Sequence, residues 1–340
     1  MTLQFDARPI FAGHQTFHPR FGWIKKAFDC ADGDPLIFSR EDATVVLGVG
    51  KNMVESIRFW GTAFKVITSI PNPVSRRTML SVPTNIGKAI FASDGYDTFS
   101  ENPATLWLLH WFANSRPSLL PVWRCFVNDF QVVEFAVKEL SVFCEEKISG
   151  TPWKKPVKAS LDKDVDCIIR MYSSRDARGR QTIDDLMDSP FSQLGLLARS
   201  PAGQDTYRFV IGDKPFLSDL VITYCCIDFI ASNDLNSKTV TTTRLASDSG
   251  SPGRLLKISE TRILEALENS SRMVSSISIA SPAGASQLVL SKTPQTVAES
   301  IFRKIYRLKS KNRTHSLPLV GNAAREPFIN TSPSKREVAS

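Results

Sequence analysis

No Cys-x-x-Cys pair occurs in this 340-residue sequence, which removes the commonest zinc and dithiol motifs. The six cysteines, at 30, 125, 144, 167, 225 and 226, lie mostly in apolar runs such as VWRCFV and ITYCCIDFI. They read as reduced core residues in a chain large enough to fold without disulfides. A secretory signal is also missing: MTLQFDARPIFAGHQ has neither a basic start nor a continuous apolar stretch. No long apolar run is free of charge. The most apolar window, FLSDLVITYCCIDFIA, carries Asp219 and Asp228 and reads as a buried helix rather than a membrane span. The expectation is a cytoplasmic protein with no membrane partner.

A strong positive charge is missing from most of the chain as well. The net charge is +8, but residues 307–340 hold a balance of +5 (Lys or Arg at 307, 309, 311, 313, 325, 335 and 336 against Glu326 and Glu337), leaving +3 for the first 306 residues. The isoelectric point therefore does not argue for a nucleic-acid partner, and any binding face must be a local patch. Apolar residues make up 42% and charged residues 22%, a normal globular composition that at this length suggests two or three domains.

What is present is a glycine-lysine turn, Gly48-Val49-Gly50-Lys51. It is not a phosphate loop. That motif needs glycine where Val45 stands and a hydroxyl where Asn52 stands. The dinucleotide fingerprint fails at Met53, where its third glycine belongs. A bend between two helices fits better. Ser39 stands as an N-cap, with Asp42 three residues on, before a short helix from Arg40 to Leu47. Gly48 suits the left-handed position past its end. From Lys51 to Ile67 the period is helical, with Met53, Ile57, Trp60 and Phe64 on one stripe. TSIPNPVSRRTMLSVPT then reads as two short strands around a basic turn, and Thr84 caps a further helix, NIGKAIFAS.

Helix, glycine turn, helix, hairpin and helix is winged helix-turn-helix order. In that geometry the second helix enters the major groove. Its outward residues would be Lys51, Asn52, Glu55, Ser56, Arg58, Thr62 and Lys65, with Arg76 and Arg77 on the wing. Arginine pairs with guanine, asparagine with adenine, and lysine reaches phosphate. Two blander readings stand beside this one. Winged helices also dock proteins, and an amphipathic helix with a charged outer face is often only solvated. Glu55, in the middle of the face, would repel phosphate.

Further along, Asn102-Pro103 starts a helix, and helical patterns run through PVWRCFVNDF, VVEFAVKELSVFCEEK and DKDVDCIIRMY. SGTPWKKP reads as a domain boundary. Ser259 precedes another helix, RMVSSISIASPAGASQLVL is strand-like, and PQTVAESIFRKIYRLK is a last helix. The expected fold is mainly α (α+β). Its divisions are an N-terminal segment 1–35, a winged-helix domain with helical extension 36–150, a helical middle domain 151–235, a small C-terminal α/β domain 236–306 and a basic disordered tail 307–340. That tail is either solvated only or adds sequence-independent attraction to phosphate.

No pattern completes a catalytic site. His14 and His18 are four apart, but Pro19 follows and no third ligand is evident. Asp184, Asp185 and Asp188 look like the acidic start of a capped helix. Cys125 beside Arg124 is a weak reactive-thiol signal, and His110 between Leu109 and Trp111 reads as a core histidine. No metal, cofactor or enzymatic activity is expected.

Several segments also match a known pattern in order: HQTFHPRFGWIKKAF, DATVVLGVGKNMVESIRFW, NPATLWLLHWF, LDKDVDCIIRMY, DSPFSQLGLL and SPGRLLKIS. Together, from about residue 10 to 306, they resemble the bacterial domain-of-unknown-function family 4007. The resemblance implies a winged-helix-containing protein that accompanies sulfur-transfer proteins of DNA phosphorothioation or related phage-defence systems. It implies a DNA-related accessory role and carries over no enzyme activity; with the winged-helix reading this leaves two expectations, binding of double-stranded DNA or an adaptor role among the modification or sulfur-transfer proteins. The basic loop around Arg175 to Arg180 and the tail after 310 look like additions to the family pattern.

Overall fold

A computed structural model describes residues 3–75, 77–173, 189–234, 236–307 and 317–328. The chain opens with α1 (Leu3–Asp6), α2 (Trp23–Gly33), α3 (Ala43–Leu47) and α4 (Lys51–Ala63). A hairpin of β1 (Ile67–Pro71) and β2 (Met79–Pro83) leads into α5 (Asn85–Phe91). The hairpin is antiparallel, with Ile67 opposite Pro83 and Ser69 opposite Ser81. Then come α6 (Pro103–Asn114), α7 (Pro121–Arg124), β3 (Glu134–Ala136), α8 (Val137–Ser149) and α9 (Lys158–Tyr172). Beyond them lie β4 (Leu197–Arg199), β5 (Thr206–Phe209), α10 (Asp219–Asn233), β6 (Thr239–Thr241), α11 (Thr242–Ser247), α12 (Pro252–Leu256) and α13 (Glu260–Met273). The series closes with β7 (Ile277–Ala280), β8 (Gln287–Leu290), α14 (Pro294–Ile305) and α15 (Gly321–Arg325). The protein is mixed α+β and mainly α; among the described residues three small antiparallel sheets are ordered β1-β2, β3-β5-β4 and β6-β8-β7. Among the described residues no helix is long and apolar enough to cross a membrane.

Local chemistry sets many of the boundaries. Thr84 accepts the Gly87 amide at the start of α5, Asn102 accepts the Ala104 amide before Pro103, and Ser259 caps α13. Other boundaries differ from the expectation. Ser39 does not cap a helix to Leu47. Residues Ile37–Ser39 form a single tight turn, and α3 starts only at Ala43 behind Asp42. The helix from Lys51 stops at Ala63 rather than Ile67, because Lys65 takes a left-handed backbone (φ 59) and turns the chain into β1. VVEFAVKELSVFCEEK divides into a strand that pairs with β5 and a helix, α8. Asp184, Asp185, Asp188 and the Arg175–Arg180 loop lie outside the described residues.

Two helices that are apolar on nearly every side form the centre. α10 buries Val221 through Ala231 without interruption and packs against α13, α14 and α15, while α6 buries ten of its twelve residues. The buried apolar side chains form one connected cluster, and the sheet β3-β5-β4 joins residues on both sides of the Ser149 to Pro156 stretch. All six cysteines are free; five are buried and Cys30 is half-buried.

His110 on α6 is fully enclosed. Its Nδ1 lies 2.8 Å from the Tyr172 hydroxyl and its Nε2 2.8 Å from the Leu255 carbonyl oxygen. A neutral ring satisfies both, with Nε2–H donating to the carbonyl and Nδ1 accepting from the hydroxyl. Burial pushes its pKa down to about 4. The unfolded chain therefore takes up this proton near pH 6.5 and the folded one does not. The contribution is complete above pH 6.5 and is lost as pH falls through 4, amounting to roughly 3 kcal/mol. His110→Gln, which can donate to one partner and accept from the other, is expected to flatten this part of the stability profile. Urea titrations of both proteins at pH 7.0, 5.5 and 4.5 measure the difference, and parallel profiles would refute it.

The end of the chain departs most from expectation. Residues 317–328, inside the stretch expected to be disordered, are built into the molecule. Leu319, Val320 and Ala324 are buried, and the Tyr224 hydroxyl donates to the Leu319 carbonyl at 2.7 Å. Asp228 accepts the Gly321 amide at 2.8 Å and pairs with Arg325. The Phe328 amide donates to the Pro83 carbonyl at 2.8 Å, and the Asn85 amide to that of Glu326 at 3.0 Å. This segment straps the junction of β2 and α5.

Candidate nucleic-acid interface

The glycine turn is formed as the spacing predicts. Gly48 is left-handed (φ 65, ψ 34), and its amide meets the Thr44 and Val45 carbonyl oxygens. Lys26 donates to the Leu47 carbonyl at 3.0 Å, closing the end of α3. Gly50 precedes α4 with no side chain to cap it, and the first turn of α4 contains no acid. Lys51 and Asn52 are exposed there, and a side chain at Gly48 or Gly50 would meet nothing within 4 Å. The start of a 13-residue helix thus has no side-chain cap and carries an exposed lysine and asparagine.

The inward stripe of α4 is as read from the sequence. Ile57, Trp60 and Phe64 are wholly buried, Met53 partly so, and the Trp60 indole donates to the Phe17 carbonyl at 3.0 Å. The outward stripe is not. Ser56 is completely buried, so it cannot face a groove. Lys65 is also buried, because the left-handed turn swings it inward. Its Nζ donates to the Ser115 carbonyl at 2.7 Å and to the Ser115 hydroxyl at 3.0 Å. Burial first, and the nearby Arg325 second, pull its pKa well below the usual lysine range. Arg58 and Thr62 are half-buried. Arg58 reaches within 3.5 Å of the Ser69 hydroxyl, and Thr62 donates to the Arg58 carbonyl at 2.8 Å. Burial lowers the Arg58 pKa, which leaves an arginine charged.

On the hairpin, Arg77 is exposed in the turn between β1 and β2, while Arg76 lies outside the described residues. Of the eight expected contact residues, the structure therefore presents Lys51, Asn52 and Arg77 openly. It holds Arg58 and Thr62 on a groove wall and removes Ser56 and Lys65. Glu55 is exposed beside Lys51, where its carboxylate accepts from the Gln15 amide at 2.7 Å. Arg40 does not join the face: Asp34 and Asp42 hold its guanidinium and raise its pKa, Asp42 contributing most. His14, once a metal candidate, is buried with Nε2 at 2.8 Å from Asp164.

The sequence reading missed residues that reach α4 from far along the chain. Arg8 and Arg325 line a cavity with Thr62, Lys65 and Ser69, and Ile10 and Leu119 cover the second half of the helix. No local spacing signals them. Arg325 sits in a segment whose composition suggested solvent.

Together these features define a class. This is a mainly α protein whose N-terminal part carries, in order, helix, glycine turn, helix, hairpin and helix, with the start of the second helix exposed. The chain belongs to the family described as protein of unknown function DUF4007, which it matches over residues 11–306. It is also similar to a magnesium ion-bound crystal structure of SspB, with 32% identity, a TM-score of 0.86, and 92% of this chain and 93% of that one covered. A second SspB crystal structure is similar at 33% identity and a TM-score of 0.85, covering 91% and 92%. Among curated proteins none matches the chain.

Proposed function

We propose that this protein binds double-stranded DNA through the exposed start of α4 and the β1–β2 turn, in a winged-helix manner. The observation that carries the reading is the uncapped first turn of α4, with Lys51 and Asn52 exposed and two glycines leaving room for close approach. Helix N-termini and lysines hold phosphates, and an asparagine at the start of a recognition helix can read adenine. Service to a bacterial DNA-modification or phage-defence system, as an accessory alongside sulfur-transfer proteins, is the expectation carried by the family resemblance and forms part of the proposal.

An adaptor role is the second reading, and one observation favours it. Val45 and Val46 on α3 are 80% and 55% exposed directly before the glycine turn. Apolar side chains in that position suit a protein surface better than phosphates.

Fluorescence anisotropy on a panel of labelled duplexes separates the two. Under the DNA reading, Lys51→Ala and Arg77→Ala weaken binding by a similar factor on every duplex. Asn52→Ala instead loses about 1–3 kcal/mol of preference at one base position. Under the adaptor reading the wild type binds no duplex, and Val45→Asp with Val46→Asp abolishes partner co-purification. No measurable duplex binding by the wild type would end the DNA proposal.

One similar SspB structure holds magnesium. Among the described residues here, no three His, Cys, Asp or Glu side chains are grouped to hold a metal, although magnesium commonly needs only one or two carboxylates with water and phosphate. Supercoiled plasmid incubated with the protein and magnesium reports whether bound DNA is also cut. An accessory role leaves it supercoiled, and open circles would assign strand cleavage instead.

A further inference from the structure

We propose that the cavity between residues 8–10, the end of α4, β1 and α15 is a binding site for a phosphate group. It has a volume of about 320 Å³, and Arg8, Lys65 and Arg325 line it with no carboxylate among the described residues of its walls. Arg8 is exposed at the rim, while the Lys65 and Arg325 side chains are enclosed.

The charges inside do not balance. Arg325 has Asp228 as its carboxylate partner, set behind it and also accepting from Trp111 and Gly321. Among the described residues Lys65 has only neutral acceptors: the Ser115 carbonyl and hydroxyl, and the Arg116 carbonyl at 3.4 Å. The Ser115 hydroxyl is shared, since Arg325 also donates to it at 3.2 Å. Two buried basic side chains therefore meet at one serine with, among the described residues, a single carboxylate beside them. Buried charges are normally paired. Nε of Arg325 is also buried and meets no hydrogen-bond partner among the described residues, in a side chain only 8% exposed. A tetrahedral oxyanion of phosphate size would supply the missing negative charge. Ile10, Thr62, Ser69 and Leu119 line both this cavity and the groove that holds Arg58.

This site stands independently of duplex binding by α4. The phosphate could be free or the terminal group of a nucleic-acid strand, and the experiment separates these sources. Titration calorimetry and thermal melts of the full chain are run with inorganic phosphate against chloride at constant ionic strength. Phosphate is expected to bind and to raise the melting temperature. Arg8→Ala, at the rim where folding is unaffected, should weaken binding measurably. Lys65→Met, which removes a buried charge without changing volume much, should weaken it by about tenfold or more. Displacement of phosphate by a 5′-phosphorylated oligonucleotide but not by its 5′-hydroxyl form identifies a strand terminus as the ligand. Displacement by neither identifies free phosphate. The proposal is overturned if phosphate stabilises no more than chloride, or if both variants bind phosphate as the wild type does. Loss of duplex binding with phosphate binding retained would sink the preceding proposal and leave this one standing.

Discussion

Asp228→Ala is expected to reduce folding stability by about 3–5 kcal/mol, the usual consequence of removing one partner from a buried ion pair. Asp228 is 1% exposed at the middle of α10. It accepts from the Trp111 indole at 2.6 Å and the Gly321 amide at 2.8 Å, and it pairs with Arg325. Alanine leaves all three donors without their acceptor in the interior. Among the described residues Arg325 retains only the Ser232 hydroxyl, the Gly321 carbonyl and the Ser115 hydroxyl, none of them charged. Asp228→Asn keeps an acceptor and should lose less. Because two of the three donors belong to residues 317–328, the substitution should also release that segment. Urea denaturation measures the first effect, and limited proteolysis with mass spectrometry measures the second. A loss below about 1 kcal/mol, with the terminal segment still protected, would contradict this account of the core.

Gly87→Ala is the second substitution with a large expected effect. A Cβ at Gly87 would stand 2.0 Å from the Val66 carbonyl oxygen and 2.8 Å from its carbon. Both are backbone atoms, and the same oxygen accepts the Thr84 amide at 3.0 Å, so neither chain can yield without opening the hairpin. Overpacking typically costs about 1–3 kcal/mol, and a backbone clash this close belongs at the upper end. The contact seats α5 against the entry to β1, so the damage should reach the hairpin that carries Arg77. Gly150→Ala is the control. Its new Cβ would come no nearer than 3.5 Å to any heavy atom, and its φ of −79 suits alanine. Thermal melts should show a large drop for the first and a change near zero for the second. Equal changes would show that the α5 contact is not tight.

Local features were legible in the sequence because local chemistry decides them. The left-handed Gly48, the start of α4 at Lys51, the Thr84 and Asn102 caps and the buried stripe through Ile57, Trp60 and Phe64 all follow from spacing and residue type. The polar stripe failed where distant chain intervenes. Lys65 is buried because a backbone turn redirects it toward Ser115, fifty residues on, and Arg325 joins it from the far end. A helical wheel extended through residue 67 cannot register either event. The same limit applies to His14 and Asp164, which meet across 150 residues. The tail misled for a different reason. Its average composition is polar and basic, yet Leu319, Val320 and Ala324 are enough to dock a short segment once Asp228 offers it an anchor.

The central claim concerns what remains exposed: the first turn of α4 and the hairpin turn. Its most direct test is the salt dependence of duplex affinity, measured by anisotropy from 50 to 200 mM salt, for the wild type and for Lys51→Ala combined with Arg77→Ala. Each lost phosphate contact should lower the log–log slope by about 0.9, so the double variant should fall short of the wild type by roughly 2. Identical slopes, with both proteins folded, would mean that this surface does not contact DNA.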